Sequence, residues 1–458
     1  MEKEKCEFRI LMFPWLSYSH VHPFLELAKN LTKKGFHIYI CSSPINLDSI
    51  RKKIENSSSI DLIELHVPSL PELPPHLHTT KNLPPNLWPI LCHAFQQTSS
   101  SFSEILNNLS PDLLVYDFFQ PWAAKQALSQ GIQSIYFATA GAAPFSYFYH
   151  LFKYGAGLAY PYEEIYLHDH EKVDPTAPVK LVVKDADEES FSFGVFDLSC
   201  DIVLIKGLRG FDGKYIDYLS KLCKKRVVPT GPLVQESSDH VDEKSLEILS
   251  WLSKRGPLST VFICFGSEHF ISMEQILEIA RGLELCKSSF VWVVRLPAEA
   301  GERVETALPG GFLERVRERG LVVEGWASQA KILSHHSIGG FVSHCGWSSI
   351  MESLYVGVPV IAMPIKHDQP INARIVTNAG VGVEVVRGGK GRFAAEEVAR
   401  AINEVIDEKN GEGIRERAKE LSEKMKKEEG AAVDEIAEQI LLLCKKSRQQ
   451  SLMDSLKD

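Results

Sequence analysis

The sequence predicts an α/β protein with two mostly parallel sheets. Three observations carry that prediction. Short apolar, β-branched runs alternate with amphipathic segments along the chain, the pattern of strand–helix–strand units. At 458 residues the chain exceeds what one ordinary hydrophobic core organises, so two domains are expected. The series breaks once, at Gly231-Pro232 and the polar stretch Glu236–Asp242, and then restarts.

In the first half, strands are expected at Arg9–Phe13, His37–Cys41, Leu62–His66, Asp112–Tyr116, Ser134–Phe137 and Ile202–Lys206. Pro23–Lys34 reads as a helix. Phe24, Leu27, Ala28 and Leu31 share one face, Lys33 and Lys34 form a basic last turn, and Gly35 supplies the stop. Val67–Asn86 is rich in Pro and His and reads as loop, and Tyr160–Ser190 as a polar surface loop. In the second half, strands are expected at Thr260–Phe265, Phe290–Val294, Leu321–Glu324, Gly340–Ser343, Val360–Met363 and Gly382–Val386. Helices are expected at Ser272–Leu285, Ser349–Val356, Gln369–Ala379 and Ala394–Ile406. The tail from Gly413 to Cys444 is strongly helical, with Ile436, Ile440 and Leu443 at helical spacing. The expected division is residues 1–235, 236–435, and a terminal helix and tail, 436–458, packing back toward the first domain.

Hydrophobic residues make up 44% and charged residues 24%, ordinary for a globular protein. A net charge of −9 argues against nucleic acid or an anionic membrane as main partner. The nine cysteines form no CxxC pair, and several sit in apolar runs such as Val-Phe-Ile-Cys264-Phe, which reads as buried thiols in a reducing compartment. The N-terminus mixes acid and base and offers no cleavage site, and no run approaches the ~18 apolar residues of a membrane helix. A cytoplasmic location is expected.

The densest chemistry runs from Trp326 to Gln369. Gly339-Gly-Phe-Val-Ser-His344-Cys-Gly346-Trp347-Ser348-Ser349 reads as strand, tight turn and helix start. A helix N-terminus presents N–H groups and positive dipole to an anion such as a diphosphate, and His344 stands beside it. The serines also fit simple N-capping. Ser349-x-x-Glu352 has the spacing of a capping box, yet a carboxylate there would also suit a ribose diol. Trp326 and Gln329 follow a strand, where an indole is either core or a stacking surface for a base. Asp368-Gln369 follow the Val360–Met363 strand, at the edge where α/β ligands bind; Asp368 equally fits an N-cap. In the first half, His20 stands between a strand and a helix, placed for a general base, with Asp117 at the end of another strand as its orienting partner. Asp185-Ala-Asp187 runs into further acids and reads as a solvated loop. His168-Asp-His170 lacks further ligands at metal spacing. No G-x-G-x-x-G or G-x-x-x-x-G-K-[ST] occurs, which weakens dehydrogenase and P-loop readings.

The 44 positions from Trp326 to Gln369 resemble the signature box of plant UDP-dependent glycosyltransferases acting on small molecules. The match includes W-A-x-Q, G-G-F-x-x-H-C-G-W, S-x-x-E-S, G-V-P and the final D-Q. The resemblance extends over the whole chain, including His20 and the Phe-Gly-Ser267 turn. It implies the GT-B fold: two facing Rossmann-like halves with an interdomain cleft. It implies that Trp326 stacks on uracil, Ala327 and Gln329 hold base and ribose, Ser267, His344, Ser348 and Ser349 hold the diphosphate, and Gly346 belongs to the UDP-sugar site. Glu352 would take the ribose hydroxyls, and the Trp347 backbone, Asp368 and Gln369 the sugar. Ser328 and Ser348 depart from the family, which mostly has Pro and Asn there. Pro14-Trp15-Leu, Pro71–Thr80 and Asp117-Phe-Phe-Gln-Pro-Trp122 are similar to the branch-forming clade, which adds a sugar to one already present on a flavonoid or terpenoid glycoside.

The expected activity is therefore inverting, metal-independent transfer of glucose from UDP-glucose to a sugar hydroxyl of a triterpenoid or flavonoid glycoside. His20 would serve as base and Asp117 as its partner, with no cofactor and no metal. Gln369 suggests glucose as donor sugar, and Pro23 supplies no cation for a glucuronic acid. Direct action on an aglycone hydroxyl, or use of another UDP-sugar, is the near alternative. An NAD-dependent oxidoreductase and a non-catalytic binder are more distant ones. A monomer is expected, with the loops Val67–Asn86 and Tyr160–Ser190 choosing the acceptor.

Overall fold

The computed structural model describes residues 8–172, 193–235, 242–267, 270–296, 303–389, 391–407 and 409–455. The chain forms two compact units. The first comprises the described residues within Met1–Tyr160, Asp174–Leu233 and Lys427–Asp458, the second those within Pro161–Val173 and Val234–Lys426.

The first unit holds seven strands: β1 (Arg9–Phe13), β2 (His37–Ser42), β3 (Ile60–Glu64), β4 (Leu113–Tyr116), β5 (Gln133–Ala138), β6 (Ile202–Ile205) and β7 (Arg226–Pro229). Their order is β3-β2-β1-β4-β5-β6-β7, all parallel. The central strands β4 and β6 are buried at every position, as expected of a parallel sheet covered on both faces. The order reverses between β1 and β4, which pair with Phe13 opposite Tyr116. β7 was not foreseen. Its four residues follow two lysines and end on Pro229, a composition tolerated because β7 is an edge strand.

The helix after β1 spans Tyr18–Thr32, five residues earlier than its apolar face suggested. Pro23 is not its first residue but lies inside it. Ser17 is the N-cap, its hydroxyl accepting from the Ser19 N–H. His20 therefore sits in the first helical turn, not in a connecting turn. The Val67–Asn86 segment is loop with two short 3₁₀ turns, Pro75–Leu77 and Pro85–Leu87. It is pinned beside this helix by the Thr80 N–H to the Leu16 carbonyl and by Ser43 Oγ to the His78 carbonyl.

The second unit holds β8 (Thr260–Cys264), β9 (Ser289–Val294), β10 (Gly320–Glu324), β11 (Ile338–Ser343), β12 (Val360–Ala362) and β13 (Gly382–Glu384). The order is β10-β9-β8-β11-β12-β13, again parallel, reversing between β8 and β11. The helix Met273–Leu285 starts on the expected Ser272, with a full capping box to Gln275. Helix Ala395–Ile406 covers the sheet with Val398, Ala401, Ile402 and Val405 in the core.

The described part of Tyr160–Ser190 is not a plain surface loop. Ile165 and Glu171 are buried, and Glu171 Oε2 meets Arg374 Nη2 at 2.8 Å. Arg374, 3% exposed, also pairs with Glu384 and lies over the Tyr166 ring. Burial and the second acid, Glu171, push the Glu384 carboxyl up against the opposing pull of Arg374. Asp185 and Asp187 lie outside the described residues. The last helix, Glu412–Ser455, brings Ile436, Ile440, Leu443 and Cys444 into the core of the first unit with Met12, Leu27 and Ile38. Among the described residues no helix is long and apolar enough to cross a membrane.

One buried acid braces the first unit. Asp212 accepts from the Leu208 N–H (2.9 Å) and the Ala142 N–H (3.3 Å), tying the Arg209–Cys223 helix to the first residue of the helix Ala142–Tyr154. Burial raises its carboxyl to about 7 against the two N–H donors, which lower it. A folded-state value above the unfolded one means the native chain binds the extra proton, so this group's contribution to stability is present near pH 4 and is lost as pH rises toward about 7. Asp212→Asn removes that titration. Thermal unfolding of both proteins from pH 5 to 8 is expected to show the wild-type advantage over Asp212→Asn narrowing as pH rises; a constant or widening gap contradicts the assignment.

Candidate active site

In each sheet candidate residues stand beyond the carboxyl ends of the strands, including the two strands that flank the point where strand order reverses. In the first unit, His20 follows β1 and Asp117 follows β4, its immediate neighbour. Asp117 is 1% exposed. Its Oδ1 accepts from the Phe118 N–H at 2.7 Å, its Oδ2 from the Trp15 N–H at 3.0 Å, and its Oδ2 lies 2.8 Å from His20 Nδ1. A carboxylate can only accept, so Nδ1 carries the imidazole hydrogen and the basic lone pair belongs to Nε2. Gln120 Nε2 donates to the Phe13 carbonyl and ties the loop after β4 to the end of β1.

Thr139, one residue past β5, was missed by sequence reasoning. Its Oγ1 lies 3.0 Å from His20 Nδ1. Its place after the next strand along the sheet was the available signal. Phe119 lies 6.4 Å from the His20 ring and packs against Trp15 and Trp88, so an apolar wall borders the imidazole. Two residues on, His22 is buried and held neutral: burial lowers it well below the usual histidine range, and Lys53, which faces its Nδ1 at 3.3 Å, adds to this.

In the second unit, Ser267 follows β8, Trp326 and Ala327 follow β10, His344 follows β11, and Asp368 follows β12. The His344 ring is wedged between two glycines. A Cβ on Gly266 would stand 2.7 Å from its Cε1 and Nε2, and one on Gly346 2.5 Å from its Nε2. Gly266 also has φ +75, open to glycine and costly for other residues. Between His344 and Gly346, Cys345, a non-glycine, is held at φ +66.

The helix that follows starts at Trp347, not near Ser349, with Gly346 as N-cap and no side-chain cap. Ser349-x-x-Glu352 is therefore not a capping box, because both residues already lie within the helix. Glu352 Oε2 instead accepts from Gln329 Nε2 at 2.8 Å, and Ser349 Oγ accepts from the same amide at 3.3 Å. The first intrahelical bond runs from the Ile350 N–H to the Gly346 carbonyl, so the N–H groups of Trp347, Ser348 and Ser349 precede the ladder at the positive end of the helix. Trp326 is 43% exposed, so its indole lies at the surface rather than in the core.

Asp368 precedes the helix Gln369–Asn378 without capping it: no side-chain cap bond forms. Its Oδ2 accepts from Asn372 Nδ2 at 2.8 Å. Gln369 is turned back on its own loop, its Oε1 accepting from the Ile365 and Lys366 N–H groups, so the donor side of the amide is what it has left for a ligand. Ser328, which departs from the box, adopts φ −72, the value proline enforces, and its hydroxyl accepts from Ser245.

The class of protein this fold defines is the GT-B glycosyltransferase. A UDP-glucosyltransferase of Polygonum tinctorium, solved in a complex with 3,4-dichloroaniline, superposes with a TM-score of 0.78 at 26% identity, covering 97% of this chain and 100% of that one. Residues 236–427 match the family model described as UDP-glucoronosyl and UDP-glucosyl transferase. UDP-glucosyltransferase 29 of Panax ginseng is 47% identical over 98% of this chain and 100% of its own. A Gardenia jasminoides β-D-glucosyl crocetin β-1,6-glucosyltransferase is 44% identical over 96% and 100%. The chain belongs to this family of UDP-glycosyltransferases.

The wedge around His344 is open to a stability test. Gly266→Ala combines a disfavoured φ with a methyl group against the imidazole, and denaturant unfolding is expected to lose about 1–3 kcal/mol. A loss below a few tenths places the imidazole elsewhere.

Proposed function

We propose that this protein transfers glucose from UDP-glucose to a sugar hydroxyl of a small-molecule glycoside, with inversion at the anomeric carbon. The observation that carries the reading is the His20–Asp117 pair, built at the strand-order reversal of the first sheet, in a chain whose second sheet presents the donor box at its own reversal.

In this reading His20 Nε2 takes the proton of the acceptor hydroxyl. The oxygen attacks the anomeric carbon, the bond from that carbon to the diphosphate oxygen breaks, and UDP leaves. Asp117 holds the ring and offsets the charge of the imidazolium. Trp326 stacks on the uracil, with the Ala327 backbone beside it. Gln329 and Glu352, already joined, meet the base and ribose. Ser267, His344, Ser348, Ser349 and the N–H groups following Gly346 receive the diphosphate, doing by hydrogen bonds and helix dipole what a cation does elsewhere. The reading therefore assigns no metal and no further cofactor. The Trp347 backbone, Asp368 and the Gln369 amide address the sugar. The glycoside acceptor and the glucosyl donor are supported by the names of the Gardenia and Panax relatives.

His20→Ala is expected to lose about 10²–10⁴-fold in transfer while UDP still binds by calorimetry; unchanged turnover removes His20 from the role. Asp117→Asn is expected to retain UDP binding and lose transfer through a misoriented imidazole. Product analysis by mass spectrometry and NMR, with UDP-glucose, UDP-galactose, UDP-glucuronic acid and UDP-rhamnose offered against glycosides and their aglycones, tests donor and acceptor. Transfer to aglycones alone overturns the acceptor assignment, and an α-linked product overturns inversion.

A further inference from the structure

We propose that Asn372 is a positioning residue that sets the Asp368 carboxylate for the donor sugar and joins it to the turn that holds the diphosphate; the proposal rests on the reading of Asp368 as a sugar ligand. Asn372 is fully buried in the helix Gln369–Asn378, one turn beyond Asp368. Its Nδ2 donates to Asp368 Oδ2 at 2.8 Å and to the Cys345 carbonyl at 3.0 Å. Both partners are acceptors only, so the NH₂ group must face them. The cost of that orientation is visible, because Asn372 Oδ1 is buried and has no partner among the described residues.

The two bonds act on different parts of the site. The Asp368 side chain makes no cap bond to its helix, and its Oδ2 accepts from Asn372. Cys345 is held at φ +66 between His344 and Gly346, and its carbonyl is the atom Asn372 grips. A non-glycine residue in that region persists where the surroundings over-determine it. The Cys345 N–H bonded to Ser343 Oγ at 3.2 Å and the Cys345 thiol donating to the Ser343 carbonyl are two such constraints, and Asn372 adds a third. One amide thus spans the loops after β11 and β12, the first carrying His344 and the second carrying Asp368. An aspartate here would have the same shape but would place a carboxylate against a carboxylate and a carbonyl, with no donor between them.

The test compares binding of UDP and UDP-glucose by calorimetry, and donor KM and kcat, for the wild type, Asn372→Ala, Asn372→Asp, Asp368→Ala and the Asp368→Ala/Asn372→Ala double variant. Asn372→Ala is expected to weaken UDP-glucose roughly tenfold or more, as loss of a hydrogen bond to a charged group does, and UDP distinctly less. Asn372→Asp, which conserves volume, is expected to be worse than Asn372→Ala, and serves if the alanine variant fails to fold. In the Asp368→Ala background the second substitution is expected to change the donor KM distinctly less than it does in the wild type, the remainder reporting the Cys345 bond, since coupled residues are not additive. Equal weakening of UDP and UDP-glucose overturns the proposal, as does an aspartate variant better than alanine, or a full effect in the double variant. If Asp368→Ala alone leaves the donor KM unchanged, the assignment of Asp368 fails and takes the proposal with it, an outcome distinct from failure at Asn372.

Discussion

The structure depends on one topological constraint: a parallel sheet whose strand order reverses leaves the carboxyl ends of two neighbouring strands uncovered. Crossovers from β1 run toward β2 and β3, and the chain then returns to place β4 on the other side of β1. The same happens at β8 and β11. Right-handed connections carry the helices away from each such point, so the turns beyond the strands line a crevice instead of packing under a helix. His20 and Asp117 occupy one, Ser267 and His344 the other. Trp326 and Asp368 enter from β10 and β12 in the same sheet.

Opening backbone at these points leaves polar groups and unusual conformations that must be held. In the first unit the Asp117 carboxylate takes two backbone N–H groups besides His20. In the second, Gly266 and Cys345 both adopt positive φ around one imidazole. Several of the bonds that hold them are buried, where an unpaired group is costly. The residues around the candidate chemistry are thus as specific as the chemistry itself. Thr139, Gln120 and Asn372 touch a candidate residue or its loop and have no role that composition alone suggests.

The strand cores and the helix Met273–Leu285 with its Ser272 cap were readable because each rests on local signals: apolar run length, helical period and capping spacing. The helix after β1 was placed too late because Pro23 is the usual mark of a first helical position, while Ser17 and the first turn carry few apolar residues. β7 escaped because four residues ending in proline do not reach the length or composition of a typical strand. The strands and the site positions beyond their ends lay in the periodicity of the chain, which acts over a few residues. The capping-box spacing of Ser349 and Glu352 was real, but the helix begins two residues earlier, and Gln329 engages both side chains instead.

Residue order alone settled the two α/β units, the strand ends that carry His20, Asp117, His344 and Asp368, and the family to which the chain belongs, because these follow from local patterns and a dense motif. Tertiary structure decided which of the competing roles each side chain takes. Glu352 meets Gln329 rather than a helix end, Gln369 spends its carbonyl on its own loop, and Glu171 leaves an apparently irregular segment to neutralise Arg374 two hundred residues away. The contacts of Glu352 and Glu171 join residues distant in sequence, won by burial and by the need of buried polar groups for a partner, and no local pattern encodes them.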